Sequence, residues 1–153
     1  MVASTTHHAI DVANYFLSLL DDNAGDVITN LKMQKLVYYA QGFALAILGR
    51  PIFVENIEAW MHGPVVPELY QHFRQYGNEP LPQPKEDWDL QMFTEEEKNL
   101  LNNVYETYGQ FSAWRLRDMT HEEKPWRSTP ANGIISHNLM KEYFQTLIVE
   151  EKA

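Results

Sequence analysis

The chain has 153 residues, with 12 Lys plus Arg against 21 Asp plus Glu, and no Cys. That length suits one domain, and 44% hydrophobic residues with 12% aromatics exclude wholesale disorder. A formal charge of −9 repels nucleic acid and anionic membranes at long range, while the lack of Cys removes disulfides, thiolate zinc sites and Cys nucleophiles.

In chain order, Ser4 to Thr6 offer N-cap hydroxyls to a first helix carrying Ile10, Ala13, Phe16, Leu17 and Leu20. Asp11 complements its positive end, and Asp21-Asp22-Asn23 with Gly25 end it. No basic region followed by an apolar stretch marks this N-terminus as a signal segment. Thr29 or Asn30 caps a second helix, in which Met33, Leu36, Val37, Ala40, Phe43, Ala44, Ile47 and Leu48 repeat at three and four. So wide a stripe predicts a central, largely buried helix. Its most apolar stretch, Leu36 to Leu48, is too short and too polar to span a bilayer. Mid-helix Gly42 points to close packing of another element, and Gly49 with Pro51 predicts a left-handed stop.

Ile52, Val54 and Ile57 to Trp60 are strand-like, with Glu55-Asn56 as the turn of a short β-hairpin stopped by Gly63-Pro64. Pro67 opens a third helix through Leu69, Tyr70 and Phe73 to Tyr76, and Gly77 closes it. Residues 78–93 read as a surface loop, extended by Pro80, Pro82 and Pro84 and solvated by Glu86, Asp87 and Asp89. Thr94 and Glu97 form a capping box for a fourth helix with Leu100, Leu101, Val104, Tyr105 and Tyr108 on its apolar face. Ser112 caps a fifth helix carrying Trp114, Leu116 and Met119. His121 to Gly133 reads as a loop. Ser136 caps a final helix with Leu139, Met140, Tyr143, Phe144 and Leu147. The expected architecture is mainly α (α+β): one compact domain over 1–153, core about 7–148, of about six helices, with a small hairpin between helices 2 and 3.

The motifs of enzyme chemistry are missing. There is no HExxH, no GxSxG elbow and no glycine-rich loop before a helix. His62 and His121 with Glu58 or Glu122 are a weaker metal reading than ordinary hydrogen-bonding histidines. Glu95 to Glu97 and Glu122-Glu123 read as solvated faces. Neither a metal nor a cofactor is expected.

Two segments stand apart. In Trp60-Met61-His62-Gly63-Pro64-Val65-Val66-Pro67, two prolines stiffen the backbone, and Trp60 and His62 share a parity if strand geometry holds. A core role for Trp60 is the preferred reading. In Thr120 to Trp126, a Trp after a Pro is equally a binding anchor or a staple for the loop. Lys32, Lys35, Arg115, Arg117, Lys124 and Arg127 form either a basic cluster or simple pairs with the surplus acids, the latter preferred.

The stretch Ile28-Thr29-Asn30-Leu31-Lys32-Met33-Gln34-Lys35-Leu36-Val37-Tyr38-Tyr39-Ala40-Gln41-Gly42 resembles the "ITNLKLQKLLYYAQG" motif of the SocA-like, or Panacea, family. Ile57 to Trp60 with Gly63 to Pro67 and Tyr70 resembles its "IEAW..GPVVP..Y" block. His121, Pro125 and Trp126 resemble its "TH.E.PW" block. Met33 replaces the usual Leu, a volume-conserving swap. The resemblance runs from the first helix to about residue 148. It implies a prokaryotic or phage-encoded, cytoplasmic antitoxin that neutralises a cognate toxin by direct protein binding, the toxin being encoded by the adjacent gene. No room remains for an appended DNA-binding domain, so direct nucleic-acid binding is not expected. The alternatives are an adaptor delivering the toxin to a cytoplasmic protease, or an enzyme in which Lys32, Lys35, His62, His121 and Trp126 converge on an anionic or nucleotide-like ligand. The expected partner-binding residues are Trp60, His62, Gly63, Pro64, His121, Trp126, Lys32 and Lys35. An acidic chain of this kind suits a basic partner.

Overall fold

A computed structural model describes residues 6–20 and 25–152, the side chains of 149–152 excepted. Among them are seven helices, three short 3₁₀ or π turns and one two-stranded antiparallel sheet. The helices are α1 (Ala9–Ser18), α2 (Asn30–Phe43), α3 (Pro67–Phe73), α4 (Glu95–Tyr108), α5 (Ala113–Glu122), α6 (Lys124–Arg127) and α7 (His137–Lys152). The strands are β1 (Glu58–Trp60) and β2 (Gly63–Val65). The mainly α fold with its hairpin between α2 and α3 is as expected. No described helix is long and apolar enough to cross a membrane.

Most local stops and starts follow side-chain chemistry. The Thr29, Thr94 and Ser112 hydroxyls accept from the backbone N–H groups of Lys32, Glu97 and Arg115. Ser136 does the same for Leu139 N–H. Ile135 and Met140 flank that cap, both buried. Gly49 ends the π turn Ala44–Leu48 with φ 75°. At α1 the expectation fails: Ser4 and Thr5 lie outside the described residues, as do Asp21 to Asn23, and the N-cap is His8 rather than Thr6. Glu55 supplies the carboxylate, accepting from Ala9 N–H at 2.8 Å. A distant acid thus caps the helix, which local sequence cannot reveal.

α2 is the axis of the core and packs against α1, α3, α4, α5, α7 and β2. Gly42 is required there by space: a Cβ on it would lie 2.2 Å from the Phe144 ring of α7. Phe144 and Tyr38 pack edge to face at 5.6 Å, and Tyr39 stacks on Tyr108 at 3.9 Å.

Three expectations are corrected. The hairpin pairs Glu58 with Val65 and Trp60 with Gly63, so its turn is Met61-His62 and Gly63-Pro64 lie within the second strand. Ile52 to Val54 instead run beside His7, whose N–H donates to Ile52 O. His121 sits in α5 and Trp126 in α6, not in a loop. Glu97 and Glu123 are buried, not solvated. Residues 78–93 are a loop, yet Leu81 and Phe93 are buried, and Leu81 N–H bonds to Ile28 O at 2.8 Å.

Candidate functional site

The site grows from polar side chains that α2 sends into the interior. Gln34 accepts from Val66 N–H at 2.9 Å and donates to Asn30 Oδ1, while Asn30 donates to Tyr70 O. Lys35 has no exposed surface, and its Nζ donates to Pro64 O at 3.1 Å. Gln41 accepts from Ile52 and Phe53 N–H and donates to Phe53 O. β2 and the strap at 52–53 therefore gain from side chains the bonds that a further strand would give.

The other side of the hairpin is held by α5 and α6. Trp126 Nε1 donates to Trp60 O at 2.8 Å. His121 stacks on Trp126 at 4.0 Å and hydrogen-bonds the backbone of Met61, while its Nε2 is buried without a hydrogen-bond partner. Gly63 has φ 110°, and a Cβ there would stand 2.8 Å from Thr120 Oγ1 and 3.0 Å from Lys35 Cε. Both backbone and space demand glycine at that position.

Charge in this frame is shaped by burial. Burial, reinforced by Arg117, brings the Lys35 ammonium down to about 7. Burial and then Arg117 and Lys35 lower His121. Glu123 lies behind the frame and accepts from Tyr38 and Tyr39 hydroxyls at 2.9 and 2.7 Å. Burial raises its carboxyl to about 7 against those two bonds. At the far end of the core, Glu97 joins His7 at 3.1 Å and Arg50 at 3.0 Å. Burial pushes Glu97 up, but hydrogen bonds from Thr94, His7 and Arg50 outweigh it and leave the carboxyl below its ordinary value.

Outside the frame lies a groove of about 570 Å³ with Trp60, Met61, His62, Tyr70, Arg74 and Trp114 among its walls. Trp60 is half-buried, with its ring edge-on to Tyr70 at 5.3 Å and Nε1 donating to Glu58. Met61 is 76% and Trp114 57% exposed. Arg117 donates to His62 Nδ1 at 3.1 Å and lies 5.3 Å from the centre of the Trp114 ring.

Of the expected site residues, Lys35 bonds Pro64 and lies beside Gly63. His121 and Trp126 stack and hold the backbone of Met61 and Trp60 from the other side of the hairpin, and Trp60 and His62 line the groove. Lys32 does not join them, because its Nζ donates to Gly109 O at 2.6 Å. The expected pairing with surplus acids holds for Arg117, which meets Asp118, whereas the Lys32 and Lys35 amines bond backbone carbonyls. Sequence reading gave Trp114 a place on the fifth helix and no role at the site. The warning lay in its spacing: Trp114 and Leu116 are two apart and point to different sides of a helix. Arg74 and the buried Glu123 carried no such signal. Among the described residues no group of three or more His, Asp or Glu is arranged to hold a metal ion.

A buried-polar central helix that braces a short hairpin is thus the scaffold behind the three sequence blocks. Residues 33–127 match the antitoxin SocA-like, Panacea domain family, and the chain belongs to that family. Antitoxin SocA of Caulobacter vibrioides (strain NA1000 / CB15N) is similar at 46% identity over 50 residues, 33% of this chain and 27% of that protein. The chain thus spans well under two thirds of that relative. No solved structure matches.

Proposed function

We propose that this chain is an antitoxin that neutralises a toxin protein by direct binding, with the groove and the Met61-His62 turn as its contact surface. The supporting observation is the exposure of Met61 and Trp114 on a groove whose walls are braced by buried hydrogen bonds. Exposed large apolar side chains on a rigid frame are what binding hot spots use, because little conformational freedom is lost on association. In this reading Trp60 and His62 touch the partner. Gly63, Pro64, Lys35, His121 and Trp126 fix the backbone that presents them. Lys32 belongs to the fold. The role is binding rather than catalysis, in the cytoplasm, and the toxin is the product of the adjacent gene.

The test is co-expression with the adjacent gene, read by growth and by co-purification. Growth rescue with a stable complex is expected, and Trp114→Ala should abolish both while leaving the melting temperature nearly unchanged. Rescue with the toxin lost from the cell would replace sequestration by delivery to a protease. Rescue with toxin present and unbound would replace it by an enzymatic role.

A further inference from the structure

The chemistry of the groove selects one kind of partner segment. Among the described residues no Asp or Glu lines the groove, in a chain that carries 21 of them. The formally charged lining residue is Arg74. It is exposed, and its guanidinium reaches Gln71 at 3.4 Å, a neutral partner. No carboxylate pairs with Arg74 among the described residues. At the Trp114 side, Arg117 adds a second cation, paired with Asp118 at 3.0 Å. Trp60, Tyr70, Trp114 and Met61 supply apolar surface between these cations.

Net charge and local charge act over different ranges here. The −9 of the whole chain steers from afar and is screened beyond about 8–10 Å in physiological salt. At contact, the groove's own side chains decide. A guanidinium without a carboxylate beside an aromatic wall suits a carboxylate, which it can grip with two parallel bonds. The volume is in the range of about 300–1,000 Å³ that holds a large side chain and its neighbours.

We propose that the groove takes a segment of the partner protein in which an aromatic or large apolar side chain enters the Trp60–Trp114 groove and a neighbouring carboxylate meets Arg74. This rests on the reading of the chain as a protein-binding antitoxin. It departs from the expectation of a basic partner drawn from net charge alone, since it places acidic residues at the point of contact.

The experiment starts from the full chain, immobilised and panned against a random peptide library, with counter-selection on Trp114→Ala. Enriched peptides should carry an aromatic or large apolar residue with Asp or Glu within a few positions. A synthetic copy of one should bind Arg74→Glu and Trp114→Ala at least about tenfold more weakly than the parent, and should weaken with added salt. Arg74→Lys should retain part of the affinity, because it keeps the charge and loses the fork. Arg74 and Trp114 are exposed, so these variants should melt as the parent does. Enrichment of Lys- or Arg-rich peptides would overturn the proposal, as would the absence of Trp114-dependent enrichment or full binding by Arg74→Glu. Displacement of the peptide by inorganic phosphate or ATP would overturn it in favour of a small-anion site. Growth rescue is read separately. Acidic peptides without rescue would remove the antitoxin reading and leave the groove's preference standing. Rescue by Arg74→Glu would do the reverse.

Discussion

α2 and α4 are both fourteen residues long, and they solve opposite problems. α4 lies at the surface and buries Glu97, Leu100, Leu101 and Val104, leaving most of its other residues toward solvent. One apolar stripe suffices, and the charged residue it buries, Glu97, is paired with His7 and Arg50. α2 is enclosed and buries eleven of its fourteen residues, among them Asn30, Gln34, Lys35 and Gln41. Those four would be costly in an apolar core, yet each bonds a backbone group: Asn30 the carbonyl of Tyr70 in α3, Gln34 the N–H of Val66 and Lys35 the carbonyl of Pro64 at the hairpin, and Gln41 the backbone of Ile52 and Phe53. An enclosed helix can therefore carry polar residues when its neighbours are irregular, because their unpaired N–H and C=O groups need donors and acceptors.

The comparison can be broken at its strongest point by Gln41→Ala. That variant strands Ile52 N–H, Phe53 N–H and Phe53 O at once. Each unpaired buried group costs about 1–3 kcal/mol, so urea unfolding should show a loss of about 3 kcal/mol or more. A loss below about 1 kcal/mol would show that α2 does not brace the strap.

The pH dependence of stability sharpens the same contrast. Lys35 falls from 10.5 to about 7 on folding, so above about pH 7 the unfolded chain binds more protons and stability rises with pH. That rise ends near pH 10, where the tyrosines of the unfolded chain ionise, against a raised value for Tyr39 in the fold. Glu123 moves the other way, from 4.5 up to about 7, so its stabilisation is complete below 4.5 and lost as pH climbs to about 7. Together these two groups place a minimum of stability near neutrality. Lys35→Met should flatten the alkaline limb and Glu123→Gln the acid limb, as read from unfolding midpoints across pH.

The surface helix should respond less. Thr94→Ala removes the cap on Glu97 N–H and should cost about 1 kcal/mol in the same urea titration. Glu106 is exposed in the last turn of α4, and Glu106→Ala should stay within about 0.5 kcal/mol. An effect of Glu106→Ala as large as that of Gln41→Ala would erase the distinction between the two helices.

Much of the helical framework was legible. Thr29, Thr94, Ser112 and Ser136 cap where their positions suggested, Pro67 opens α3, and Gly42 meets another helix at close range. The hairpin was legible as a segment but not in register. Its strands are three residues each, and besides the pairing with β1 the bonds to Pro64 and Val66 come from Lys35 and Gln34, more than twenty-five positions away. The candidate site was half legible. Gly63, Pro64, His121 and Trp126 stood out through stiff or bulky residue types, and all four lie in or against the hairpin. Trp114 and Arg74 did not stand out, because a Trp on a helix reads as core and a lone Arg reads as surface.

Local chemistry settled where the helices begin and end, the central place of α2 and the family to which the chain belongs. Caps, stops and apolar spacing act over about four residues, so one sequence displays them in full. Tertiary structure decided that Lys35, Gln41 and Glu123 turn inward, that Lys32 leaves its neighbour for Gly109, and that Trp114 is left in the open. A buried polar side chain is tolerated only where a remote group lacks a partner, and that need exists only after the remote group has been folded into place.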